Sequence, residues 1–116
     1  MTIRYKNQGY KQADTNLNTV LTCPSDATLI VKSIYCSNND ASSGILVNMN
    51  LVDSSDSNTE YEFFRDDVAA KTQVNASPQG INLEAGDSIK IQAATGSNKI
   101  QGVISYAQID RSQENG

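Results

Sequence analysis

Histidine and tryptophan are absent from this chain of 116 residues, and only two cysteines and two prolines occur. Each shortage excludes a chemistry. Without imidazole there is no Ser-His-Asp or Cys-His catalysis and no imidazole metal site, and two cysteines cannot complete a structural zinc tetrad. Nine basic against thirteen acidic residues leave a net charge of −4 and a pI near 4.6. That balance argues against general binding to nucleic acid or to an anionic membrane. No apolar run approaches the ~20 residues of a membrane span, and the opening Met1-Thr2-Ile3-Arg4-Tyr5-Lys6 lacks the hydrophobic stretch of a signal peptide. The expectation is a non-enzymatic chain without cofactor or metal, folded as one domain.

What is abundant is uncharged polarity. Asn, Gln, Ser and Thr fill 41 positions, and Ile and Val fill 17 against six Leu. Branched aliphatics and Thr favour pleated sheet, while short amides and hydroxyls suit turns and hydrated strand faces. Together they predict an all-β domain with one wet side to each sheet.

Residues 1–16 show no sustained period. They carry Arg4, Lys6 and Lys11 against Asp14, a net +2, so the other hundred residues hold −6. This segment reads either as a frayed terminus or as an extended arm lying on a neighbouring subunit, with Tyr5 and Tyr10 as anchors. The body, 17–110, reads as about eight strands. They are Leu17–Thr22, Thr28–Ser37, Ile45–Val52, Tyr61–Arg65, a weak strand within Val68–Val74, Gly80–Leu83, Ser88–Ala93 and Lys99–Ile109. Strict alternation along Thr28–Ser37 puts Ile30, Ile34 and Cys36 on one face and Leu29, Val31 and Tyr35 on the other. Two apolar faces predict a central strand or one covered by a partner. Residues 111–116 read as a polar tail. Regular strands and no convincing helix predict an antiparallel β-sandwich, jelly-roll-like.

Few residues invite chemistry. If Leu17–Cys23 and Thr28–Ser37 form a hairpin, Cys36 lies some ~26 Å from Cys23, beyond disulfide reach. If they belong to different sheets, that geometry does not apply. The favoured reading is two free, small apolar thiols, as in a reducing cytoplasm. Asp53-Ser54-Ser55-Asp56-Ser57-Asn58 offers oxygens, but without the spacing and terminal Glu of an EF-hand it reads as a solvated loop. Glu60 and Glu62 share a strand face that reads as a charged outer surface rather than a carboxylate pair. Tyr35, Tyr61, Phe63 and Phe64 could line a sugar platform, with Phe63 and Phe64 facing opposite ways.

Residues 21–35 (LTCPSDATLIVKSIY), residues 83–93 (LEAGDSIKIQA) and the closing Val103-Ile104-Ser105-Tyr106 resemble small β-sandwich virion proteins of tailed bacteriophages, of marine or cyanobacterial type. The likeness spans roughly residues 17–110, and an LEAGD turn before alternating isoleucines also occurs in unrelated jelly rolls. The resemblance implies a structural protein of the virion, assembled in the host cytoplasm. A capsid decoration (cement) protein is the favoured role, binding the major capsid protein or other virion proteins as a homo-oligomer such as a trimer. The alternatives are a neck, tail or fibre accessory and a host-glycan-binding module. Expected assembly contacts are Arg4, Tyr5, Lys6, Tyr10, Lys11, Tyr35, Tyr61 and Phe63; no catalytic, cofactor or metal residues come with the resemblance.

Overall fold

The computed structural model describes residues 2–111. Nine strands form two antiparallel sheets: β1 (Thr2–Lys11), β2 (Asn18–Thr22), β3 (Ala27–Asn38), β4 (Ile45–Asp53), β5 (Thr59–Val68), β6 (Gln73–Asn75), β7 (Ile81–Leu83), β8 (Ser88–Ala93) and β9 (Ile100–Asp110). The larger sheet runs β1-β9-β3-β6, with β7 also pairing β3, and the smaller runs β2-β8-β4-β5. β6 covers β3 at Tyr35–Ser37 and β7 covers it at Leu29–Val31, so the two act as one interrupted edge strand. Counted that way there are eight strands, and the chain crosses between sheets after nearly every one. Only β4 and β5 form a sequential hairpin. This is the expected jelly-roll-like sandwich.

The core lies between the sheets. It comprises Leu29, Val31, Ile34 and Cys36 from β3, Ile45, Val47 and Met49 from β4, Ile89 and Ile91 from β8, and Ile100, Ile104 and Tyr106 from β9. β8 shows the logic simply: Ile89, Ile91 and Ala93 alternate into the core while Lys90 and Gln92 are only partly covered. Polar side chains pin the connections. Asn38 donates from Nδ2 to the Ser43 and Val68 carbonyls, both at 2.9 Å. Asp87 in the β7–β8 turn accepts from Ser54 N (2.9 Å), Ser54 Oγ (3.0 Å) and Glu84 N (3.0 Å), binding that turn to the 3-10 turn at Ser54–Asp56. Gly86, at φ +84°, takes a left-handed conformation there that suits glycine, and Ser54 leaves no room for a Cβ.

Several expectations are corrected. Residues 2–11 are no detached arm: β1 pairs with β9 along its whole length, from Thr2–Asp110 to Lys11–Gln101. β2 and β3 lie in different sheets, so the hairpin geometry does not apply, and the favoured reading of two free thiols holds: Cys23 and Cys36 are both free and buried. The two apolar faces of β3 dissolve at a bulge between Val31 and Ser33, where Lys32 is the extra residue. One inserted residue flips the facing, so Leu29 and Val31 before it, and Ile34 and Cys36 after it, all enter the core. A second bulge, between Met49 and Asn50 opposite Phe63, acts alike on β5, and Phe63 and Phe64 both pack against the core. Val68–Val74 is the end of β5, a turn and the start of β6. Of the expected tail only Arg111 falls within the described residues.

Candidate functional site

The surface that stands out is the outer face of the larger sheet. Directly paired residues on neighbouring strands share a side. Because Leu29 and Val31 point inward, Ile30 points outward, and the register carries that side across the sheet. One row is Ile3–Ile109–Thr28, the next Tyr5–Ala107–Ile30, and a third Gly9–Val103–Tyr35. Ile3 (52%), Tyr5 (76%), Ile30 (40%), Tyr35 (47%) and Val103 (42%) are five of the seven large apolar residues exposed among those described, the others being Leu46 and Tyr61. Ala107 is buried yet stands outside the core cluster, because Tyr5 and Ile30 flank it on this outer face. The strand rows of this face carry no carboxylate. Along the strands its charge comes from Lys11 and from Lys32, whose Nζ sits 5.2 Å from the Tyr5 ring centroid, within cation–π range. Arg111 and Glu84 border it beside Thr28 and Ile30.

Two of the expected contact residues, Tyr5 and Tyr35, meet on this face, and Lys11 lies at its end, paired with Gln101. The others do not join them. Arg4 lies on the opposite side of β1 and pairs with Asp110 at 3.1 Å. Lys6 lines a shallow groove with Thr19, Leu21 and Gln108, beside β2. Tyr61 is in the smaller sheet, its hydroxyl donating to Asp56 Oδ2 at 2.6 Å, and that carboxylate raises its pKa. With Tyr35 and Tyr61 in different sheets, no common aromatic platform forms.

Tyr10 is corrected outright. It is buried, and its hydroxyl donates to the Tyr35 carbonyl at 2.7 Å. Burial, with the Cys36 sulfur adding to it, pushes its pKa far above the usual phenol range. It is a core residue, not a surface anchor.

Ile3, Ile30 and Val103 were not singled out from sequence. Ile30 stands just before the β3 bulge, and Ile3 and Val103 lie on strands that pair without one; an outward apolar residue looks like core until the register is known. With the register known, the glycine opposite Val103, Gly9, accounts for its exposure.

Several acidic groups are engaged within the chain. Asp53 accepts from Ser55 N (3.1 Å) and Ser55 Oγ (2.7 Å). Glu60 meets Lys90 Nζ at 3.1 Å, and Glu62 meets Arg65 at 2.7 Å. Among the described residues no group of three or more His, Cys, Asp or Glu side chains could hold a metal.

Comparison with known proteins supports the architecture. No protein-family model and no curated protein matches the sequence. In structure the chain is similar to a protein of Bacillus endospore appendages, which form a novel family of disulfide-linked pili. That match has TM-score 0.54 and 12% identity over 96% of this chain and 90% of that one. Viral capsid proteins are also among the structural neighbours. A pentameric capsid protein isolated from metagenomic phage sequences aligns with TM-score 0.43 and 13% identity over 92% of this chain and 63% of that one. A protein of infectious bursal disease virus (Gx strain) aligns with TM-score 0.46 and 8% identity over 91% of this chain and 31% of that one. The first match establishes a shared all-β fold; nothing rests on the two looser ones.

Proposed function

We propose that this protein is a structural component of a bacteriophage virion that acts by adhesion, most simply as a decoration protein bound to the capsid surface. The observation that carries the reading is the outer face of the larger sheet: exposed apolar residues (Ile3, Tyr5, Ile30, Tyr35, Val103) flanking a polar row Asn7–Ser105–Ser33, free of carboxylates along its strand rows, and built from three strands in fixed register. An exposed apolar face on a small rigid sandwich marks a contact surface rather than a site of chemistry. The likeness of residues 21–35 and 83–93 to phage virion proteins supplies the particle. Docking would add binding free energy present only in the assembled shell, which opposes its rupture. Copies arranged as a trimer or similar ring would multiply that contact.

The test is a density map of the intact particle together with a copy count by gel densitometry. Hundreds of copies, with Ile30, Tyr35 and Val103 against the shell, are expected. Tens or fewer overturn decoration in favour of a neck, tail or fibre accessory, and absence from the particle overturns the virion reading.

A further inference from the structure

β1 and β5 are the outermost strands of opposite sheets, and each is ten residues long. Among the described strands β1 pairs with β9 and β5 with β4, so each, as an outermost strand, presents a row of backbone donors and acceptors on its other side. Their charges oppose each other. β1 carries Arg4, Lys6 and Lys11 with no acid, a net +3; β5 carries Glu60, Glu62, Asp66 and Asp67 against Arg65, a net −3. The spacing matches as well. Arg4 and Lys6 are two apart, as are Glu60 and Glu62, and Lys11 follows Lys6 by five as Asp67 follows Glu62.

The directions fit too. The short connection through residues 12–17 returns the chain, so β2 runs opposite to β1, and β4 runs with β2 because both are antiparallel to β8. β5, antiparallel to β4, therefore runs with β1. β1 stands over β2 at one side of the sandwich and β5 lies at the other side in the opposite sheet. Two copies in the same orientation, offset by one sheet spacing of about 10 Å, therefore bring β1 of one alongside β5 of the next as a parallel pair.

We propose that this protein self-associates head to tail by pairing its β1 edge with the β5 edge of a second copy, Arg4 facing Glu60, Lys6 facing Glu62 and Lys11 reaching the Asp66–Asp67 pair. Like-with-like pairing is opposed: β1 on β1 sets +3 against +3, and β5 on β5 sets −3 against −3. Arg4, Glu60 and Glu62 already meet Asp110, Lys90 and Arg65 within the chain and share those exposed partners at the contact, whereas Lys6, Lys11, Asp66 and Asp67 make no ion pair among the described residues and are free to meet a neighbour. The contact is heterologous, so it builds a ring where the rotation closes and a filament where it does not. It does not depend on the virion reading: a monomeric chain found on particles overturns this inference alone, and an assembling chain absent from particles overturns that reading alone.

Sedimentation of the full chain at low and high salt tests it, with Lys6→Glu/Lys11→Glu and Glu62→Lys/Asp67→Lys variants. The wild type is expected to associate at low salt and to weaken about tenfold or more at high salt. Each variant alone is expected to stay monomeric with an unchanged circular dichroism spectrum, and mixing the two restores association, since each supplies the charge the other lost. A monomeric wild type at low salt overturns the proposal. So do variants that associate as the wild type does, or folded variants whose mixture stays monomeric.

Discussion

The Tyr10 hydroxyl donates to the Tyr35 carbonyl at 2.7 Å, reaching from β1 to β3 across the intervening β9. Gly102 of β9 makes the crossing possible, since a Cβ there would run into the Tyr35 carbonyl oxygen and the Tyr10 ring. This contact fastens the N-terminal strand to the body. Tyr10→Phe is expected to cost about 1 kcal/mol, the net worth of one hydrogen bond. Gly102→Ala forces backbone apart and is expected to cost about 3 kcal/mol or more. Urea unfolding of both variants measures the order; Gly102→Ala milder than Tyr10→Phe contradicts it.

On the outer face, Ile30→Ser and Tyr35→Ser remove apolar surface without touching the core. Each is expected to change stability by about 0.5 kcal/mol or less, while the double variant loses about tenfold or more in particle affinity. Pelleting of purified protein with stripped particles reads the affinity. Undiminished binding by the double variant removes this face from the docking argument.

What the sequence reveals about this fold depends on whether a strand has one buried face and no bulge. β8 is legible to the residue, because Ile89, Ile91 and Ala93 alternate cleanly. β1 is not, because the core-side positions Arg4, Lys6 and Gln8 lie on an edge strand and stay exposed, so no hydrophobic period develops. Tyr10 alone enters the core. The bulges at Lys32 and Phe63 move side chains between faces by one inserted residue, which alternation cannot foresee. Tyr5 and Tyr35 are legible as contact aromatics, whereas Ile30, just before the β3 bulge, and Ile3 and Val103, on strands paired without one, look like core aliphatics until the register is known. The strand order of a sandwich whose chain switches sheets is set by long-range pairing, which local pattern does not encode.

Asp87 is the polar keystone of the LEAGD turn. Its carboxylate is buried and receives the Ser54 N, Ser54 Oγ and Glu84 N hydrogens. Asp87→Ala leaves the Ser54 and Glu84 amides without that acceptor, while Ser54 Oγ keeps the Ala85 carbonyl at 2.9 Å, and is expected to cost about 2–4 kcal/mol. Asp87→Asn keeps the shape and an acceptor oxygen, so it is expected to cost less. Thermal melts of the pair decide, and equal losses would mean that both carboxylate oxygens, not one acceptor and the filled volume, are needed to hold the turn.

Alkaline pH acts on three buried groups at once. Burial raises the Cys23 and Cys36 thiols above the ordinary 9.0, and burial first, then Cys36, raises Tyr10 above 10.0. All three are neutral when protonated, so the folded state holds its protons where the unfolded chain has begun to lose them. Above about pH 9 the unfolded state binds fewer protons than the native one, and stability falls as pH rises. Below that pH the contribution is complete and the urea midpoint is expected to be flat with respect to these groups. Tyr10→Phe removes the largest shift and should shallow the alkaline slope even though it lowers stability at neutral pH. The same burial keeps both thiols unreactive toward a disulfide reagent until urea unfolds the chain. A midpoint that holds constant well above pH 10, or rapid thiol labelling of the native protein, would mean that these groups are open to water.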